Sequence, residues 1–201
     1  MLRLRPSIKE IWKQLSQEIN ANYIDGGYFK SPRIEYTHNI WTIYLDIYTV
    51  STSESTITYT RMRMPFINPK KFKFKVYRKR FFSNIGKVFG MQDIEVGYDY
   101  FDHDYIIKGN DELLIRNLLQ NNDIRDLIEK QSRILLEIKS NEGRFGPKFK
   151  DNESELYFVA TGVIKDKERL KNLFELFKKI IEEFEMIGIT IHQAPEVKLD
   201  K

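Results

Sequence analysis

Apolar and polar residues alternate strictly from residue 41 to residue 48. The apolar positions are Trp41, Ile43, Leu45 and Ile47, and the polar positions are Thr42, Tyr44, Asp46 and Tyr48. Because successive side chains of a strand point to opposite faces of a sheet, this pattern predicts a β-strand with one buried and one polar face. Phe72, Phe74 and Val76 alternate with lysines in the same way, which predicts a further strand with a basic outer face.

The polar stretch 51–55 predicts a turn, and residues 56–64 a second strand that forms a hairpin with the first. We place Asp46 opposite Tyr59 and therefore Tyr44 opposite Arg61. The core face then holds Trp41, Ile43, Leu45, Met62 and Met64. A shift of the pairing by one residue would move these side chains to the other face.

Three regions carry the spacing of amphipathic helices. The first runs from Ser7 to Asn20, where Ser7 and Glu10 predict a capping box, and the last runs from about residue 166 to 187 and ends at Gly188. Between them, residues 101–119 predict a short strand, a break at Gly109 and a helix capped by Asn110. A second central helix starts at about residue 122.

Further strands are predicted at 134–138 and 156–164, since both segments are short and apolar. The order of elements indicates an α+β fold: a largely antiparallel sheet packed by an N-terminal helix, a central helix pair and a long C-terminal helix. A helix-grip arrangement, in which sheet and helix enclose an apolar ligand, fits the same order. We expect one domain over residues 1–201, with a frayed tail at 189–201.

Composition excludes several kinds of chemistry. The 201 residues include no cysteine, so disulfides, thiol nucleophiles and cysteine-bound metals are excluded. The chain starts without an apolar leader, and no apolar run approaches the ~20 residues of a membrane-spanning helix. These features predict a cytoplasmic protein, and no motif indicates a cofactor.

Charge is distributed unevenly along the chain. Residues 55–92 contain ten basic side chains and no acidic one, so the net charge of +4 leaves −6 for the remaining residues. A basic middle beside acidic flanks indicates either a face for an anionic small molecule or polyanion, or charge complementarity between layers of the fold.

Four segments resemble a family of uncharacterised prokaryotic proteins. They are TRMRMPF at 60–66, GMQDIEVG at 90–97, FDHDYIIKGNDELLIRNLL at 101–119 and ELYFVATGVIKDKERLKNLFELF at 155–177. The resemblance covers nearly the whole chain and implies a single compact domain. It assigns no catalytic residue, since it implies no known activity.

The sharpest candidate site is the polar face of the hairpin, formed by Tyr44, Asp46, Tyr59, Arg61 and Arg63. A guanidinium binds phosphate or carboxylate through two parallel hydrogen bonds, and neighbouring tyrosines add hydroxyl donors and stacking surfaces. The alternative is that these residues form cross-strand pairs on a polar sheet face, with Asp46 neutralising an arginine.

A second candidate is a basic surface along the next strand. It contains Lys71, Lys73, Lys75, Arg78, Lys79 and Arg80. Lysines with interleaved aromatic residues suit nucleic acid or anionic lipid. The alternative is a solvated basic strand that resists aggregation at a sheet edge.

Asp99, Asp102, His103 and Asp104 offer oxygen and nitrogen ligands, but we predict no metal site from them. On a strand, Asp102 and Asp104 would point to one face and His103 to the other, so the ligands would not converge. His38 and His192 are isolated in the sequence.

We therefore predict a binding or interaction module with a basic face for an anionic partner. The alternative is an enzyme in which Arg61 and Arg63 hold a small substrate that bears phosphate or carboxylate, with Asp46 or a histidine as acid or base. A third class, a protein-interaction subunit, requires an exposed aromatic patch. Its candidates are Tyr23, Tyr28, Phe29 and Tyr77.

Overall fold

A nine-stranded antiparallel sheet organises the part of the chain that the computed structural model describes, which is residues 6–27, 31–51, 53–81, 91–141, 146–197 and 199. The strands are β1 (Asn22–Ile24), β2 (Arg33–His38), β3 (Trp41–Ser51), β4 (Thr56–Ile67), β5 (Phe74–Arg78), β6 (Gln92–Asp93), β7 (Tyr105–Gly109), β8 (Leu135–Lys139) and β9 (Glu153–Thr161). The helices are α1 (Ile8–Glu18), α2 (Asp99–Asp104), α3 (Glu112–Gln120), α4 (Asn122–Glu129) and α5 (Lys167–Met186).

These elements confirm the predicted α+β class, with an antiparallel sheet, an N-terminal helix, a central pair of helices and a long C-terminal helix. The strand order is β1-β2-β3-β4-β9-β8-β5-β7-β6. The connection from β4 to β5 therefore crosses one end of the sheet, past β9 and β8, which lie between them. Within the described residues, no helix combines the length and apolarity that crossing a membrane would require.

The apolar faces of the helices and one face of the sheet form a common core. Trp41, Ile43, Leu45, Met62 and Met64 are fully buried there, as the alternation predicted. Helix α5 contributes the largest helical share. Its buried apolar residues are Leu170, Leu173, Phe174, Leu176, Phe177, Ile180, Ile181 and Phe184.

The predicted hairpin exists, but its pairing differs by two residues from the prediction. Asp46 lies opposite Arg61, and Tyr44 lies opposite Arg63. The last pair of the hairpin is Ser51 with Thr56, so Ser51, which was predicted as the first residue of the turn, belongs to β3. Because side chains repeat every two residues along a strand, the shift changes the partners and leaves the faces as predicted.

The prediction that residues 101–119 begin with a strand is wrong for residues 101–104. Residues 99–104 form helix α2, and the strand begins at Tyr105. The reason is Asp102, whose carboxylate accepts hydrogen bonds from the backbone N–H groups of Val96, Gly97 and Tyr98 at 2.8–3.1 Å. These bonds fold the chain back on itself before β7.

Four of the five helices in the described residues have a capping side chain at the N-terminus, among them α4, which Asn121 caps, and one cap differs from the prediction. The capping box of Ser7 and Glu10 is present, and Asp166 caps α5. Helix α3 is capped by Asp111 rather than by Asn110. Asn110 instead bonds to the connection between β4 and β5, as described below.

The segment after α5 packs against the sheet over part of its length. Ile189 is fully buried, and Thr190 donates a hydrogen bond from its hydroxyl to the Ile67 carbonyl at 2.7 Å. Farther along, the N–H of Glu196 donates to the Glu153 carboxylate at 2.6 Å, and Leu199 is 2 % exposed. These contacts hold described parts of the segment that was expected to fray.

Candidate anion-binding surfaces

The five residues of the predicted hairpin site do come together around Asp46. Arg61 binds the Asp46 carboxylate through two nitrogens, Nε at 2.8 Å and Nη2 at 2.9 Å, and Arg63 Nη2 binds the same carboxylate at 2.8 Å. The exposed fractions of these side chains are 16 % for Arg61, 4 % for Arg63 and 13 % for Asp46. This bidentate geometry is the one predicted for an anionic ligand, and the protein's own carboxylate occupies it.

Aromatic rings cover the outer side of this cluster. The Arg61 guanidinium lies over the Tyr48 ring at 4.8 Å, and Tyr48 stacks on Tyr59 with ring centroids 5.0 Å apart. Tyr44 lies beside Arg33, whose guanidinium is 5.8 Å from the ring centroid. These contacts match the alternative interpretation, in which cross-strand pairs stabilise a polar sheet face.

The cluster belongs to a longer row of polar residues on the sheet face opposite the helices. Each of eight neighbouring strands contributes one residue to this polar row, in the sheet order β2-β3-β4-β9-β8-β5-β7-β6. The residues are, in that order, Glu35, Tyr44, Arg63, Tyr157, Glu137, Lys75, Lys108 and Asp93. Ion pairs link its second half: Lys75 to Glu137 at 3.0 Å and Lys108 to Asp93 at 2.8 Å. The row is therefore compensated internally.

The histidines considered for acid-base chemistry contact residues outside the hairpin cluster. His38 contacts Glu182 on α5 at 2.9 Å, and His103 contacts the neighbouring Asp104 at 3.0 Å. Within the described residues, no group of three His, Asp or Glu side chains is arranged to hold a metal ion. Asp102, one of the residues considered as a ligand, is used to hold the backbone before α2.

The predicted basic surface divides into two parts. Lys75 is buried and paired with Glu137, so its assignment to the surface is wrong. Arg78 pairs with Asp104 at 3.3 Å, and Lys79 donates to the Asp102 carbonyl at 2.8 Å, so the acidic stretch packs beside this strand. Arg80 is exposed. Much of the uneven charge in the sequence is thus resolved by contacts within the fold.

The other part lies in the connection between β4 and β5. We call residues 68–73 the lysine turn, because it carries exposed Lys70, Lys71 and Lys73. Within the described part of the chain, none of these three side chains forms an ion pair. Together with exposed Arg80, for which the described residues show no ion pair either, they are available to an outside anion.

Two asparagines fix the shape of the lysine turn. Asn68 donates from its side chain to the Phe72 carbonyl and to Ser154 Oγ, both at 3.0 Å, and accepts from the Phe72 N–H at 2.9 Å. Asn110 accepts from the Lys73 N–H at 2.7 Å and donates to the Lys71 carbonyl at 3.0 Å. Both ends of the turn are therefore tied to other strands.

Lys71 adopts a left-handed backbone conformation with φ of +50°. This conformation is uncommon for a residue with a side chain and costs roughly 1–2 kcal/mol. The bonds from Asn68 and Asn110 maintain it. The local sequence Asn68-Pro69 signals a turn, but it does not show the part played by Asn110, which is distant along the chain.

A depression of about 390 Å³ lies beside the lysine turn, where β9 begins and β8 ends. Lys71 and Lys73 line one side, and residues 149–151 line another. Lys150 extends to Glu196 at 2.6 Å, and this contact raises the pKa of its ammonium group.

Two of the four aromatic residues proposed for a protein-interaction patch are described, and neither is fully exposed. Tyr77 is 3 % exposed, and burial raises the pKa of its phenol. Tyr23 is partly buried and packs against the core. Tyr28 and Phe29 lie outside the described residues.

Comparison with known proteins identifies a protein of similar fold but gives no information about the candidate site. No protein-family model matches the chain, and no curated protein matches its sequence, so the resemblance to uncharacterised prokaryotic proteins stays a prediction. One solved structure is similar: the crystal structure of the mycobacterial trehalose monomycolate transport factor A, TtfA, with a TM-score of 0.55 and 5 % sequence identity. The likeness covers 94 % of this chain and 100 % of that chain. At this identity it concerns the fold alone.

Proposed function

We propose that this protein is a binding module for an anionic partner and that the lysine turn is the surface that contacts it. The observation that carries the proposal is the combination of three exposed lysines, which form no ion pair in the described residues, with a backbone that two asparagines hold in place. A turn whose backbone is already fixed loses little backbone entropy when it binds, so only the lysine side chains have to be ordered by a ligand.

The hairpin cluster is a weaker candidate for the same role. Arg61 and Arg63 already bind Asp46, and an outside anion would have to displace a carboxylate that is 13 % exposed. The alternative enzyme depends on those same two guanidiniums.

The test compares two triple variants of equal charge. In the first, Lys70, Lys71 and Lys73 are replaced by alanine. In the control, exposed Lys13, Lys130 and Lys165, which form no ion pair in the described part of the chain, are replaced by alanine. Both variants lower the net charge by the same amount, so a difference between them reports position and not total charge.

We expect the wild-type protein and the control to bind immobilised heparin, a polyanion, with an affinity that falls as salt concentration rises. The lysine-turn variant should elute at lower salt and show a weaker salt dependence, because fewer cations meet the polyanion. Equal elution of the two triple variants would refute the proposal. Circular dichroism of both variants checks that the fold persists.

A further inference from the structure

We infer that the depression beside the lysine turn is a binding site for a phosphate ester, so that the turn recognises a defined chemical group and not only negative charge. This inference rests on the proposed function, since it uses the same lysines. It adds a place for the rest of the ligand.

The cationic wall of the depression consists of Lys71 and Lys73. Both residues are exposed, and neither forms an ion pair in the described residues. Their backbone positions are set by Asn110, which bonds to the Lys71 carbonyl and to the Lys73 N–H. Two ammonium groups held beside one depression match the two negative charges of a phosphate monoester.

The other walls suit a small organic group attached to the phosphate. Ser140 and Ser154 add hydroxyl groups, and Phe149 and Met91 add partly buried apolar surface. Of the two carboxylates in the lining, Glu137 is already bound to Lys75 at 3.0 Å. Asp151 is exposed, and its single negative charge is smaller than the two positive charges of Lys71 and Lys73, so the lining stays positive.

The size of the depression separates a small ligand from a polymer. A volume of about 390 Å³ falls within the range of roughly 300–1,000 Å³ that small-molecule sites occupy. A phosphate ester of this size exists free in solution and also as the headgroup of an anionic lipid. The two sources share the chemistry that the lysines would recognise.

The test blocks the depression without changing charge. Ser140→Tyr adds a ring at the lining, and Ser132→Tyr adds the same ring at an exposed serine elsewhere. The probes are glycerol 3-phosphate, measured by calorimetry, and vesicles of phosphatidylcholine with and without phosphatidic acid, whose headgroup is a phosphate monoester, measured by co-sedimentation. Lys71→Ala with Lys73→Ala serves as the charge-deleted variant.

We expect saturable binding of at least one probe to wild type and to Ser132→Tyr. We expect it to be about tenfold weaker in Ser140→Tyr and in the double lysine variant. Binding of glycerol 3-phosphate indicates a free ester as the source, and binding of the phosphatidic acid vesicles alone indicates a lipid headgroup.

The inference is refuted if neither probe binds saturably, or if Ser140→Tyr binds as Ser132→Tyr does. The heparin experiment distinguishes this failure from failure of the proposed function. Heparin binding that still depends on the lysine turn would leave the turn as a general anion-binding surface. Heparin binding that does not depend on the turn would refute both.

Discussion

The side-chain amide of Asn110 donates a hydrogen bond to the backbone carbonyl of Lys71 at 3.0 Å, and its oxygen accepts from the Lys73 N–H at 2.7 Å. Asn110 directly follows β7, whereas the lysines precede β5. One side chain thus binds backbone groups of two of the lysines, so substitutions at Asn110 should affect binding without touching a charged residue.

Asn110→Ala should lower both stability and anion binding. Loss of two hydrogen bonds at an exposed site is expected to reduce the free energy of unfolding by about 1–2 kcal/mol. Lys71 would also be free to leave its left-handed conformation, so heparin affinity should fall although all lysines remain. Urea denaturation and heparin elution measure the two effects. Asn22→Ala, at an exposed position of edge strand β1, is the control and should change neither.

Gly109→Ala should be destabilising because the added methyl group has no room. An ideal Cβ at this position would lie 2.0 Å from Ile115 Cδ1 and 2.6 Å from the Lys73 carbonyl oxygen. The backbone oxygen cannot move without disturbing the lysine turn, and overpacking of this kind costs about 1–3 kcal/mol. Thermal unfolding should show a clear decrease in melting temperature.

Gly27→Ala is the matched control for that substitution. Gly27 has φ of +66° and nothing within 4 Å of the added Cβ, so only backbone strain of about 1 kcal/mol is expected. A smaller loss of stability in Gly109→Ala than in Gly27→Ala would contradict the packing argument.

Asp46→Ala should be among the more destabilising single substitutions on the sheet. It leaves Arg61 and Arg63 without the carboxylate that both bind, and removal of one partner from a largely buried ion pair costs about 3–5 kcal/mol. Asp93→Ala removes the partner of Lys108 at a side chain that is 75 % exposed, and it should cost less than about 1 kcal/mol. Chemical denaturation of both variants measures the difference. Equal losses would mean that the hairpin cluster is not a structural ion pair.

Stability should decrease at alkaline pH, in part through Tyr105. Burial raises the pKa of its phenol from 10 to about 12. Below pH 10 the phenol is neutral in both folded and unfolded chains. Between about pH 10 and pH 12 the unfolded chain loses the proton first, so the free energy of unfolding falls as pH rises.

Tyr105→Phe should flatten that decrease, since it removes the titrating group. The ring would keep its stacking on Phe101 at 4.5 Å and its position below the Arg78 guanidinium at 5.3 Å. Urea denaturation at about pH 9 and about pH 11 compares the two proteins. An identical loss of stability in wild type and Tyr105→Phe would exclude a contribution from this phenol.

The sequence predicted which residues face the core, but it did not predict which residues meet. Alternation placed Leu45 and Met62 on the buried face correctly, because a strand has only two faces. The partner of Asp46 was wrong by two residues, since the faces are the same in both pairings and only the loop length distinguishes them.

Long-range contacts explain what local patterns could not predict. Asp102 and His103 were predicted to lie in a strand. In the structure three backbone N–H groups from residues 96–98 donate to the Asp102 carboxylate, and these contacts favour a helix there. Asn110 looked like a helix cap, which is a local role, whereas its bonds reach residues 37 and 39 positions earlier in the chain. The sequence predicted that Lys71, Lys73 and Lys75 all lie on a basic surface. Tertiary packing decides that Lys71 and Lys73 are exposed and that Lys75 is buried.

The crossing of β4 to β5 has a consequence for how the protein is made on the ribosome. Strands β8 and β9, which fill the gap between β4 and β5, are encoded about sixty residues or more after β5. The emerging chain therefore leaves one edge of β4 and one edge of β5 unpaired until β9 and β8 have been synthesised, and contacts between such distant segments form slowly. We expect a nascent chain that stalls before residue 153 to expose the edge of β4, and unpaired strand edges of this kind favour aggregation.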